Sequence, residues 1–393
     1  MSVLPKALKQ TDRYSLKSFA GDHHRTPKEM FMTPKLSKFV RSATLIFCFL
    51  SMSSVAALAQ DTISSLGSEE QGRIAPARPW TREEMLSAKP YPFPEAKGSP
   101  SKDAVIRPDG PPEFGQSGRG GNASLKDAII GPEMAEASAA ITAAYTYPFP
   151  YSRYENLPAT NYSVYPFKTI GKVFFKQGTQ NFVCSASSIG NYAVLTAGHC
   201  VSDGLGHFHT NWVFVPAYNA GSAPFGQWSA SSLIVSSAWH NGGGSLWNED
   251  FGGAVLNKLG GLKISQKVGW LGWSVNLPVD KQHWHSIGYP QGAPFTGAKQ
   301  IICAASWATN DGTNRFGFGC DATGGTSGGP LIRLLRPGVT GANNLVNGLN
   351  SYKYGTQPQA LYSPYFGNNA KSHIACLINS GPGIFKCAGP PAP

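Results

Sequence analysis

The chain has 393 residues, of which 41% are hydrophobic and only 14% charged, with 45 glycines and 30 prolines. That length exceeds one compact domain, and so many turn-formers with so few charges exclude a protein of long amphipathic helices and favour all-β structure. The net charge of +11 is scattered along the chain without a dense basic run, so nucleic acid is not an expected partner, and the charge suits solubility or attraction to anionic surfaces.

In chain order, residues 1–59 read as a leader and signal peptide. Residues 43–59 (ATLIFCFLSMSSVAALA) carry no charge, follow Lys35, Lys38 and Arg41, and close on Ala57-Leu58-Ala59. This is a secretory pattern whose apolar stretch is short for a membrane span. A secreted or periplasmic location follows, with membrane contact only during export, and Met32 is the expected true start. Loss of the leader removes Cys48 and leaves six cysteines: Cys184, Cys200, Cys303, Cys320, Cys376 and Cys387. Six in an exported chain suggest three disulfides, most simply the sequential pairs Cys184–Cys200, Cys303–Cys320 and Cys376–Cys387, although the other connectivities stay open. No C-x-x-C pair occurs, which argues against a structural zinc site.

Residues 60–160 are rich in Pro, Gly, Ser and Ala and twice carry YPFP, at Tyr91–Pro94 and Tyr147–Pro150. Such composition has little core of its own and reads as a propeptide or linker, with a short helix expected around 123–144. The repeated YPFP suggests a local docking element. From about Tyr165 the pattern changes to short apolar runs punctuated by Gly, Asn and Pro: GKVFF, NYAVLTA, NWVFVPA, FGGAVL, GWLGW, HSIGYP, PLIRLL and LVNGLNSY. These are strands at sandwich or barrel spacing, without the rhythm of an α/β protein.

Three constellations carry chemistry. In TAGHC a strand delivers His199, and Cys200 is able to anchor its turn to Cys184. In Asn248-Glu249-Asp250-Phe251-Gly252 an acid precedes an apolar run, where Asp250 is placed to accept the Nδ1 hydrogen of a histidine; strand alternation would send Glu249 to the opposite face, toward solvent. In GGTSGGP, glycines on both sides let a tight turn expose Ser327 Oγ and aim the amides of Gly325 and Ser327 at one point, an oxyanion hole. Gly325-x-Ser327-x-Gly329 also fits the nucleophile elbow of α/β-hydrolases, but that fold needs an acid and then a histidine after the serine. No Asp or Glu follows Ser327. A non-catalytic binding module is the remaining rival. The pairs His207-x-His209 and His283-x-His285 lack a third ligand and read as core or surface histidines, so no metal and no cofactor are expected.

TAGHC, the acid before FGGAVL, and GTSGGP together resemble the trypsin-like serine proteases. GKVFF ahead of Cys184, Gly288-Tyr289-Pro290, and Cys320-Asp321 ahead of the serine motif resemble the bacterial V8-like, glutamyl-endopeptidase branch. The resemblance covers about Tyr165 to the C-terminus and implies an all-β domain over 161–393, built as two six-stranded antiparallel β-barrels with the site between them. It implies a His199–Asp250–Ser327 triad acting on protein or peptide substrates, in a monomer. It also implies a primary pocket lined by Asp321, Ala322, Asn350, Ser351 and Tyr352. Thr326 stands where the pancreatic pattern has the Asp that receives a new amino terminus, so a propeptide that blocks or chaperones the site is expected instead.

Overall fold

Short elements come first along the chain: β1 (Ile63–Ser65), α1 (Arg82–Ser87), β2 (Lys89–Pro90), β3 (Glu95–Ala96), β4 (Glu113–Gly115), β5 (Gly131–Pro132) and β6 (Ser152–Glu155). The computed structural model describes residues 77–101, 105–121, 144–243 and 247–387, and the backbone alone of β1 and β5. The signal peptide, Met32, and the helix expected around 123–144 apart from β5 lie outside the described residues. Thr81 and Glu84 form a reciprocal capping box that starts α1, satisfying two orphan amides of the first turn. Trp80 and Met85 are buried in one cluster with Phe174, Val183, Val213 and Tyr218, each docking contributing roughly 2 kcal/mol of apolar burial. A segment with no core of its own thus borrows one.

The first sheet closes on itself. Strands β7 (Ile170–Gln177), β8 (Gln180–Ser188), β9 (Ala193–Thr196), β10 (Thr210–Pro216), β11 (Trp228–Ser236) and β12 (Gly252–Leu256) pair antiparallel in the order β11-β10-β7-β8-β9-β12. A β11–β12 ladder from Ala230↔Leu256 to Val235↔Gly252 completes the ring. Its apolar filling includes Phe175, Val194, Leu195, Phe214, Ile234 and Val255. Helix α2 (Ser237–Gly242) follows β11.

After α3 (Ile264–Val268), the second sheet takes β13 (Gly272–Val275), β14 (His283–Gly288), β15 (Ile301–Asn310), β16 (Arg315–Gly319), β17 (Pro330–Arg333), β18 (Leu345–Leu349) and β20 (Ala360–Pro364), with β19 (Lys353–Tyr354) apart and α4 (Asn368–Asn379) last. Its order is β20-β16-β15-β14-β17-β18-β13. The residues that follow β18 reach β20 by local contacts, not by a continuous ladder: Ser351 N donates to Tyr362 O at 3.0 Å, beside a Tyr352↔Tyr362 bridge. The apolar runs read from the sequence fall in these strands or lead into them.

The upstream segment joins both sheets. Strand β2 pairs parallel with β8, β6 antiparallel with β15, and β4 antiparallel with β13. The disulfides are Cys184–Cys200, Cys303–Cys320 and Cys376–Cys387, the sequential set. Among the described residues no helix is long and apolar enough to cross a membrane.

Candidate active site

Strand β9 ends at Thr196, and the 3-10 turn Gly198–Cys200 carries His199 inward. A Cβ on Gly198 would lie 3.0 Å from both Asp250 Oδ1 and the Trp239 ring, so the glycine of TAGHC is what lets the turn pack against the acid. Asp250 is fully buried. Its Oδ2 lies 2.9 Å from His199 Nδ1, and its Oδ1 accepts from the His199 amide at 2.8 Å. Ser351 Oγ donates to the same Oδ2. A carboxylate so held keeps the ring proton on Nδ1 and leaves Nε2 as the acceptor. Glu249, expected to face solvent, is instead buried and accepts from Asn369 Nδ2 at 2.9 Å. It ends a 3-10 turn, Trp247–Glu249, so strand alternation does not govern it.

Behind His199 stands His209, which sequence reasoning left among the core and surface histidines. Its Nε2 donates to His199 O at 2.9 Å and its ring stacks on Phe175 at 4.3 Å. Burial pushes its pKa down to about 4, so at neutral pH it is an uncharged donor that fixes the turn. The only sequence signal was its spacing of ten residues after His199.

The serine loop is pinned to the first barrel. Ser185 N donates to Ser327 O at 2.7 Å, Ser185 Oγ to Gly325 O at 2.8 Å, and Thr196 Oγ1 to Ser185 O at 2.8 Å. Gly325 and Gly328 have φ of +97° and +76°, and a Cβ on Gly328 would meet Thr196 Oγ1 at 2.0 Å. Gln291 N holds Gly324 O at 2.7 Å; since a trans peptide sets its N–H opposite its C=O, the Gly325 amide faces away from that contact. Ser327 Oγ and His199 Nε2 are both buried, and neither has a hydrogen-bond partner among the described residues. These are the two atoms between which a nucleophile's proton would pass. Thr326 Oγ1 accepts from Asn350 Nδ2 at 3.1 Å, a neutral bond at the position of the pancreatic Asp.

Of the expected pocket residues, only Asp321 is partly exposed, and Arg153 is paired with its carboxylate. Ala322, Asn350, Ser351 and Tyr352 are buried. Asn350 braces the serine loop and accepts from Ser286 Oγ at 2.7 Å. The Tyr352 ring stacks on Trp247 at 5.2 Å, and its hydroxyl donates to Asp311.

Both YPFP motifs dock at the site. The first runs as a strap: Gln291 Nε2 donates to Ala88 O at 2.6 Å, Tyr91 N donates to Val183 O at 3.1 Å, and Lys353 N donates to Pro94 O at 3.1 Å. Strand β2 runs parallel to β8 and β3 parallel to β19, so the strap reaches from the first sheet to the residues just after Tyr352. The Tyr91 ring stacks on the His199 imidazole at 5.9 Å with 19° between planes. Pro90 and Tyr91 O cover Gly324. In the second motif, Phe149 is buried with Tyr352, Tyr354 and Tyr362.

No family model matches the chain. A glutamyl endopeptidase of Bacillus licheniformis is 28% identical over 208 residues, which are 50% of this chain and 61% of that relative's length. The chain thus spans less than two thirds of that protein. The crystal structure of the protease Anisep from Arthrobacter nicotinovorans is similar with 36% identity and a TM-score of 0.50, over 54% of this chain and 96% of that one. A thermostable serine protease, AL20, from an extremophilic microorganism is also 36% identical, with a TM-score of 0.49 over 55% of this chain and 97% of that one. With a closed six-stranded barrel, GTSGGP and TAGHC at one site, and that identity over nearly all of a solved protease, the chain belongs to the trypsin-like serine proteases of the V8 type.

Proposed function

We propose that the protein is an exported serine endopeptidase, active as a monomer on protein or peptide substrates and made as a zymogen. Ser327 is the nucleophile, His199 Nε2 takes its proton, and Asp250 orients the imidazole and stabilises its cation. The amides of Gly325 and Ser327 receive the oxyanion. His199 then protonates the leaving amine, and water releases the acyl-enzyme by the same steps in reverse. The observation that carries this reading is the 2.9 Å contact of His199 Nδ1 with buried Asp250, opposite an Nε2 and a Ser327 Oγ that are both buried and have no hydrogen-bond partner among the described residues.

Within residues 60–160, the strap acts as the propeptide in this reading, and β6, paired with β15, stays with residues 161–393 as the linker. Tyr91 on His199 and the strap over Gly324 support a blocked site. Three disulfides suit an oxidising, extracytoplasmic compartment.

The test is hydrolysis of a mixed peptide library, after removal of the strap, by the protein and its Ser327→Ala variant. Loss of the nucleophile should cost about a million-fold in turnover. If both proteins are equally inert, and a serine-reactive phosphonate labels neither, catalysis is abandoned for a peptide-binding module.

A further inference from the structure

Asp321 stands six residues before Ser327, and a carboxylate at the base of a primary pocket is a receptor for a substrate's lysine or arginine. In this protein one oxygen of that carboxylate is already taken from within, and the other, Oδ1, is buried without a hydrogen-bond partner among the described residues. The Arg153 guanidinium is paired with Asp321 Oδ2, and the two residues are 168 apart in sequence.

The Arg153 side chain is exposed, but the fold sets its backbone beside Asp321. Strand β6 lies in register on β15 with Arg153 opposite Cys303, and Cys303 is bonded to Cys320, the neighbour of Asp321. One ladder position and one disulfide therefore connect Arg153 to Asp321. The guanidinium also lies over the Phe295 ring, 5.2 Å from its centre, a contact that favours a cation held in place. A second cation stands near: the ammonium of Lys353 feels the carboxylates of Asp321 and of Glu95 on the strap, although burial outweighs both and lowers its pKa. When the strap leaves, Glu95 leaves with it, and two cations remain for one carboxylate.

We infer, on the reading of this site as a protease, that Arg153 is a specificity-determining residue: it occupies Asp321 and closes the primary pocket to lysine and arginine side chains. An incoming cation must displace a guanidinium that the fold holds at high effective concentration, and it meets like charge from Arg153 and Lys353 while doing so. Thr326 and Asn350 do not enter this selection, since each is turned to the other.

The experiment is the peptide library read by mass spectrometry, with the processed enzyme compared with Arg153→Ala, Arg153→Lys and Arg153→Ala/Asp321→Asn, and with the amino terminus of each active form sequenced. The processed enzyme should show no preference for cuts after lysine or arginine. In Arg153→Ala the ratio of such cuts to all others should rise about tenfold or more, the scale of one gained charge contact. Arg153→Lys, which keeps a cation, should restore the exclusion, and the double variant should lose the gain. A merely structural Arg153 would lower thermal stability without moving that ratio. The inference is overturned if the parent enzyme prefers basic residues, if Arg153→Ala is active with an unchanged ratio, or if the active form begins beyond Arg153. If no variant cuts any peptide while phosphonate labelling also fails, the protease reading itself has fallen.

Discussion

Ser351 donates its hydroxyl hydrogen to Oδ2 of Asp250, 101 residues away, so the acid that orients His199 on the first sheet is itself oriented from the second. A hydrogen bond to a charged acceptor contributes about 1.5–3 kcal/mol. Ser351→Ala should therefore lower kcat about tenfold, with KM nearly unchanged, because the bond positions the base and not the substrate. Ser351→Thr should restore most of the rate, and Asp250→Asn should cost about 10⁴-fold. Steady-state kinetics on one peptide decide it; an Ser351→Ala enzyme with full kcat would remove Ser351 from the positioning chain.

Tyr91 stacks on the imidazole of His199, the proposed general base. Replacing it by alanine removes an aromatic contact and its burial, roughly 2 kcal/mol together, which is about a thirty-fold rise in the open population. The full-length Tyr91→Ala chain should hydrolyse peptide before any processing, at a rate the parent reaches only after its strap is cut. Equal activity of parent and variant, with the strap still covalently attached in both, would show that the strap does not block the cleft.

Two histidines make the fold acid-sensitive. Burial pushes the pKa of His209 and of His373 down to about 4, against about 6.5 when unfolded. Between those values the unfolded chain binds more protons, so stability is complete above pH 6.5, falls as pH drops, and levels off below about pH 4. Each histidine contributes up to roughly 3 kcal/mol to that loss. Thermal melts of Ser327→Ala, which cannot digest itself, should show the decline over this window, and His209→Phe should make it shallower. A flat melting temperature from pH 7 to 4 contradicts the assignment.

Gly328 and Gly338 share a left-handed backbone, with φ of +76° and +78°, but only at Gly328 would a Cβ strike the first barrel. Alanine at Gly338 should cost about 1 kcal/mol of backbone strain. At Gly328 the clash with Thr196 adds to that strain and should displace the serine loop, abolishing phosphonate labelling of Ser327. Melting curves and labelling of the two variants give the comparison; a well-labelled Gly328→Ala protein would mean the loop is not set by Thr196.

The strands and the motif residues were legible because each is a local pattern: apolar runs between turns, a glycine that admits a histidine, glycines that admit a serine. Asp250 was legible for the same reason, but Glu249 was misjudged, since a 3-10 turn leaves no mark in residue alternation. Long-range pairs left no such trace. Nothing near Arg153 points to Asp321, and nothing near Ser351 points to Asp250; sheet closure and a disulfide bring them together. The strap was legible only as proline-rich chain. Its seat depends on backbone bonds from Ala88, Tyr91 and Pro94 and on one stacked ring, and none of these needs a periodic sequence.

The strap enters its seat from α1, where Met85 and, just ahead of the helix, Trp80 are buried against the first barrel. A single cut downstream of Ala96 would leave all of these anchors in place and convert a tethered contact into an encounter between two molecules. Tethers of this kind act at effective concentrations on the order of millimolar, which a separate fragment does not match in dilute solution. A freshly nicked sample should then remain silent while concentrated and wake on dilution, so that spreading into the surrounding medium is itself the last step of activation.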